Sequence, residues 1–142
     1  MRFEFSAGGI VYKRSNKSVQ ILLAQHSQHH GWVFPKGLIG DHKKGEKKEE
    51  TALREVKEET GVVGKIIKGL EPISYWYFWE GEKIKKTVYY FLMEYESGDI
   101  KDHDFEMENV EWLTKSEVLE RLTYPSDKKV WRAAEKLIGN SK

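Results

Sequence analysis

Between Gly40 and Val62 the chain sets out Glu46, Arg54, Glu55, Glu58, Glu59 and Gly61, and the spacing of the last three carboxylates limits the chemistry they can do. At about 100° per residue, Glu55, Glu58 and Glu59 fall within an arc of roughly 100° on a helix, with Ala52, Leu53 and Val56 in the adjoining sector. One helix can therefore bury an apolar stripe and present three carboxylates beside it. Like charges three or four residues apart cost a few tenths of a kcal/mol each unless a cation collects them. Clustered carboxylate oxygens suit hard cations, Mg²⁺ above all, with Mn²⁺ as the alternative. A solvated acidic helix face is the competing reading, and the flanking glycines and arginine weigh against it.

The elements that must position this helix are legible in outline. Phe3 to Lys13 and Val19 to Gln25 read as strands of a hairpin, and Gly31 to Gly40 as a brief strand and loop punctuated by Pro35 and three glycines. Lys47 to Thr60 is the clearest helix, with Gly61 as its stop. Two longer β-like stretches, Ile66 to Trp79 and Ile84 to Glu96, join through Glu80 to Lys83 as a second hairpin. After an acidic loop, Ser97 to Glu108, comes a short strand, Asn109 to Leu113. Thr114 can cap a helix from Lys115 to Leu122, and Ser126 a last helix striped with Val130, Trp131, Ala134, Leu137 and Ile138. Strands with two or three helices make a mixed α/β domain.

Composition bounds the function. A chain of 142 residues fits one domain, 1–142, and needs no metal or disulfide to hold a core. Net charge is +1, which supplies no global field for nucleic acid or an anionic membrane. Cysteine is absent, excluding disulfides, thiolate zinc sites and a Cys nucleophile, and no stretch approaches the ~18 apolar residues that span a bilayer. A cytoplasmic location is the expectation.

The segment 40–62 resembles the Nudix box, G-x5-E-x7-R-E-U-x-E-E-x-G-U with U aliphatic, at every specified position. The resemblance implies the Nudix fold, an α/β/α sandwich with a mixed central sheet and an added antiparallel hairpin. It also implies metal held by Glu55, Glu58 and Glu59 with the Gly40 carbonyl, Arg54 orienting Glu55, Glu46 tying the loop to the helix, and Glu55 or Glu59 as general base. Family members often add a carboxylate from a later loop; Glu106 fits that place best, with Asp104 and Glu108 as rivals.

His29-His30-Gly31-Trp32-Val33-Phe34-Pro35-Lys36-Gly37 is similar to the segment before the box in diadenosine tetraphosphate hydrolases, which implies phosphate contacts from Lys36 and from one histidine, taken as His30. The run Tyr75 to Trp79, followed by Lys83, Lys85 and Lys86, looks like the asymmetric tetraphosphatase branch. Alternate residues of such a strand face opposite sides; Tyr75 and Tyr77 are the expected ligand-facing pair, and Lys83 and Lys86 the phosphate partners. Tyr124 matches a place where relatives set an aromatic against adenine. Lys43-Lys44 stands where many relatives have proline before the Gly-Glu pair, leaving that loop more basic and less rigid.

The expected activity is Mg²⁺-dependent hydrolysis of diadenosine tetraphosphate to ATP and AMP. The alternatives are an RNA 5′-pyrophosphohydrolase, a MutT-type nucleoside triphosphate pyrophosphatase and, outside the enzymes, a nucleotide-sensing Nudix-fold module. Such modules commonly lose box glutamates, and none is lost here. The expected partner is a small nucleotide, with no membrane and no nucleic acid, in a monomer or homodimer.

Overall fold

The computed structural model describes residues 1–40 and 43–139; Asp41 and His42, inside the 40–62 segment, and the last three residues lie outside the described residues. The long strand β1 (Arg2–Arg14) runs parallel to β7 (Glu82–Gly98) along most of its length. Its other edge is shared between two antiparallel partners: β4 (Lys36–Leu38) at Ser6 to Gly8, and β2 (Val19–His26) at Tyr12 to Arg14. Strand β2 also pairs with β3 (Trp32–Val33) and β8 (Met107–Thr114). Strands β5 (Val62–Gly69) and β6 (Ile73–Trp79) both lie antiparallel to β7. Because β2 leaves β1 midway, the sheet opens where β3 and β4 enter.

Strand alternation gives the sheet two buried faces. Ala7 and Val11 of β1 pack with Ala52 and Val56 of helix α1 (Lys48–Thr60), while Ile10 and Tyr12 pack with Trp131 and Ala134 of helix α3 (Pro125–Ile138) and with Val118 of helix α2 (Lys115–Arg121). This is the expected α/β/α sandwich with a mixed sheet, three helices and the added β6–β7 hairpin.

Three expectations shift. The stretch Ile66 to Trp79 is two strands, divided at Leu70 to Pro72, where proline has no N–H for a ladder. The last helix is capped by Tyr124 rather than Ser126, since Pro125 takes the first helical position, where a missing N–H costs nothing. Asn109–Leu113 is the middle of a longer strand. Helix α1 begins with the Lys47 N–H donating to Glu50 Oε1 at 2.9 Å and ends at Gly61, whose φ of 81° is left-handed.

Candidate functional site

Helix α1 and the loop after β4 meet through one half-buried cation. Arg54 donates to both Glu46 oxygens at 2.9 and 3.0 Å, to Glu55 Oε2 at 3.1 Å and to Glu58 Oε1 at 3.2 Å. Glu46 also accepts from the Thr51 hydroxyl at 2.8 Å and from the Gly40 backbone N–H. The Arg54 hydrogen bonds hold the Glu46 carboxyl down to about 2, and the guanidinium is raised in turn. One arginine thereby fixes the loop, the helix and the orientation of Glu55.

Glu55 and Glu59, 6% and 3% exposed, turn inward from this helix and are hydrogen-bonded to each other. Burial raises both carboxyls, Glu59 well above the ordinary range, and the charge of Glu106 adds to the effect at Glu59. A hydrogen bond between two carboxyls needs a proton on one of them, which the raised values favour. Gly37 of β4 makes the room, since a Cβ there would land on the Glu55 carboxyl. The Lys36 backbone N–H donates to Glu59 Oε1 at 3.3 Å.

The acidic loop closes the other wall. Its Asp104 N–H donates to the Glu58 carbonyl at 3.0 Å, and the Glu106 carbonyl accepts from the Ser27 N–H at 3.0 Å, so the loop is pinned between α1 and the β2–β3 turn. The resulting cleft of about 420 Å³ is lined by Glu55, Glu58, Glu59, Asp104, Glu106 and Lys36 among others. It opens into a second chamber of about 680 Å³ lined by Tyr75, Tyr77, Tyr90, Tyr124 and Asp127, and Lys36, Lys86 and His29 face both. Burial, then the neighbouring Lys36, lowers Lys86; burial raises Tyr75 to about 12.

The donor set fits a hard divalent cation. Carboxylate oxygens converge on one wall, two of them so close that only a proton reconciles their charges, and a cation can take that proton's place. With Glu58 drawn to Arg54, no three acidic or histidine side chains among the described residues stand close enough to enclose an ion as they are. Gly40, at φ 77°, does not line the cleft.

Residues 3–134 match the NUDIX domain. The chain belongs to the Nudix family. It is 38% identical over 107 residues to MutT4 of Mycobacterium tuberculosis, covering 75% of this chain and 42% of that protein. It is 36% identical over 99 residues to the asymmetrical bis(5′-nucleosyl)-tetraphosphatase of Rattus norvegicus, covering 69% and 62%. The chain thus spans roughly two to three fifths of the length of these two relatives. Its fold matches the Caenorhabditis elegans Ap4A hydrolase binary complex at a TM-score of 0.76, with 22% identity over 97% of this chain and 99% of that one.

Within this Nudix site the structure parts company with two further expectations, at His30 and Lys83. His30, at φ 60°, turns away from the cleft to Glu108 Oε1 at 2.9 Å; His29 lines it instead, stacked on His26 at 4.3 Å and 2.9 Å from the Tyr124 hydroxyl. Glu108 is thereby drawn away from the cleft as well. Lys83 is one residue out of phase with Lys86, so it stands on the opposite face of β7, over the Trp76 ring at 4.6 Å. Tyr75, Tyr77, Lys36, Lys86 and Tyr124 do converge. Asp127 is the residue that sequence reasoning missed: 4% exposed, raised by burial, it accepts from the Tyr90 hydroxyl at 3.2 Å inside the aromatic chamber. An Asp in the first turn of a helix reads as dipole compensation, so its sequence signal is weak.

Proposed function

We propose that this Nudix chain is a divalent-metal-dependent hydrolase that splits a phosphoanhydride bond in a dinucleoside polyphosphate, with diadenosine tetraphosphate cut unsymmetrically to ATP and AMP as its best substrate. One observation carries the reading: an acidic chamber and an aromatic chamber open into each other across two lysines, Lys36 and Lys86. That order of chemistries matches a metal-bound polyphosphate with a base at its far end. The name of the rat relative, an asymmetrical tetraphosphatase, supports the same choice.

Glu55, Glu58 and Glu59, with Glu106 from the facing loop, would hold Mg²⁺ or Mn²⁺. When bound, such an ion neutralises phosphate charge and lowers the pKa of a water. Water attacks phosphorus, the bridging P–O bond breaks, and Glu55 or Glu59 accepts the proton the water gives up. Arg54 keeps Glu55 aimed into the cleft. Lys36 and Lys86 grip phosphates further along the chain, each charge-assisted contact worth roughly 1.5–3 kcal/mol. Tyr75, Tyr77 and Tyr124 flank the base, and Asp127 offers a hydrogen-bonding carboxyl to its edge.

The test is purified protein with Mg²⁺ and a panel of diadenosine tetraphosphate, diadenosine triphosphate, dATP, oxidised dGTP and 5′-triphosphorylated RNA, with products separated by chromatography. Equal yields of ATP and AMP and the highest kcat/KM on the tetraphosphate are expected. A preference for oxidised dGTP would reassign the chain to nucleoside triphosphate pyrophosphatases.

A further inference from the structure

Helix α1 covers only part of its face of the sheet. Beyond the helix start, where Lys48 stands over the Tyr89 ring at 4.9 Å, that face continues uncovered. There it carries Phe3, Phe5, Trp76 and Phe78, which are 54%, 50%, 46% and 70% exposed. Register sets them in rows: Phe3, Lys85 and Trp76 lie opposite one another on β1, β7 and β6, and Phe78 lies opposite Lys83. Neighbouring strands are about 4.8 Å apart and alternate residues of a strand about 6.8 Å, so rings and ammonium groups alternate over the exposed surface. Lys83 and Lys85 stand 4.6 and 5.9 Å from the centre of the Trp76 ring.

Charge is sorted by face. The same strands turn Glu4 and Glu82 to the other side, where Arg2 pairs with both, and the uncovered stretches of β1, β6 and β7 present no carboxylate beside the aromatics. A net charge of +1 therefore conceals a locally cationic, aromatic surface. Four exposed rings with lysines between them match a partner that has both flat π faces and regularly spaced negative charge. A second copy of this chain fits less well. A two-fold contact across this face would set the patch against itself, lysine against lysine, with no carboxylate to relieve the repulsion.

We propose that this face is a platform for single-stranded nucleic acid, whose bases stack on Phe3, Trp76 and Phe78 while its phosphates meet Lys83 and Lys85. The platform lies on the other side of β6 and β7 from Tyr75, Tyr77 and Lys86, so it is separate from the hydrolytic cleft and does not depend on the reading of that cleft.

The probe is a fluorescein-labelled single-stranded RNA of about twelve nucleotides with a 5′-hydroxyl, which offers the cleft no phosphoanhydride, followed by anisotropy. Wild-type protein should bind it and lose roughly tenfold in affinity between about 50 and about 200 mM salt. Trp76→Ala and Phe78→Ala should each weaken binding about tenfold, and Lys85→Glu at least as much, while hydrolysis of small nucleotides and Tm stay at wild-type values. Trp76→Leu keeps apolar area without the ring, and should weaken binding as the alanine does. Absence of wild-type binding at low salt, or unchanged binding in Trp76→Leu and Phe78→Ala, overturns the proposal. So does a homodimer in sedimentation equilibrium that these two substitutions separate, since the second copy would then own the surface.

Discussion

Three carboxyls of the site, those of Glu46, Glu55 and Glu59, obey opposite electrostatic rules. Glu46 gains a partner and is held to about 2, whereas Glu55 and Glu59 lose water and are raised. For Glu46 the folded value lies below the unfolded one, so the stability it contributes is present above the ordinary carboxylate range and is lost as pH falls through about 2. Glu46→Gln should lower Tm clearly near neutral pH and lose that gap towards about pH 2; melting curves of both proteins across that range decide it, and a pH-independent gap would remove the ion pair from the account. Glu59→Gln keeps shape while removing charge from the centre of the cleft. It should lower kcat by several powers of ten with the fold intact by circular dichroism. Near-normal turnover in a folded variant would leave Glu59 without a role in the reaction.

At the scale of elements, the site is made by what β4 and α1 leave out. Gly37 allows the Glu55 carboxyl to lie against the β4 backbone, and Gly37→Ala should displace it, cutting kcat/KM at least tenfold while the sheet stays paired. Lys36 of the same short strand reaches both chambers, so Lys36→Ala should cost more kcat/KM on the tetraphosphate than on a nucleoside triphosphate, whose shorter phosphate chain has less for it to grip. Equal losses on the two substrates would point to a general role in charge. Helix α1 was readable in advance because its signals are local: a three- and four-residue carboxylate rhythm, an apolar stripe and a glycine stop. The two-residue alternation likewise separated Tyr75 and Tyr77 from Trp76 and Phe78. It also disqualifies Lys83 beside Lys86, a parity that the resemblance to relatives overrode. No local signal distinguishes His29 from His30, because a turn with φ 60° at His30 and a partner 78 residues away decide which ring faces the cleft. Asp127 is beyond local reading for the same reason, its partner Tyr90 lying 37 residues away on β7 beneath α3.

Across the whole molecule, the sheet splits its labour between faces and along its length. Where β2 parts from β1, backbone of β3 and β4 enters the gap and the cleft forms; beyond the start of α1, a lysine-bearing aromatic face is left open. No helix among the described residues is long and apolar enough to cross a membrane. A cation held in the cleft as proposed would tie the stability of the entire fold to metal. In the metal-free protein the raised values of Glu55 and Glu59 mean that their neutral forms stabilise the fold fully below the ordinary carboxylate range, and this contribution is lost as pH rises through their folded values. A divalent cation needs the deprotonated forms, so its affinity rises over the same interval. Saturating Mg²⁺ at about one hundred times its Kd contributes about 2.7 kcal/mol, which for a chain of this size raises Tm by roughly 5–10 °C. The gain from Mg²⁺ over chelator should therefore be larger near pH 8 than near pH 5, and Glu59→Gln should shrink it at the higher pH. A gain that is absent, or greater at acid pH, would mean that these carboxylates do not hold the metal.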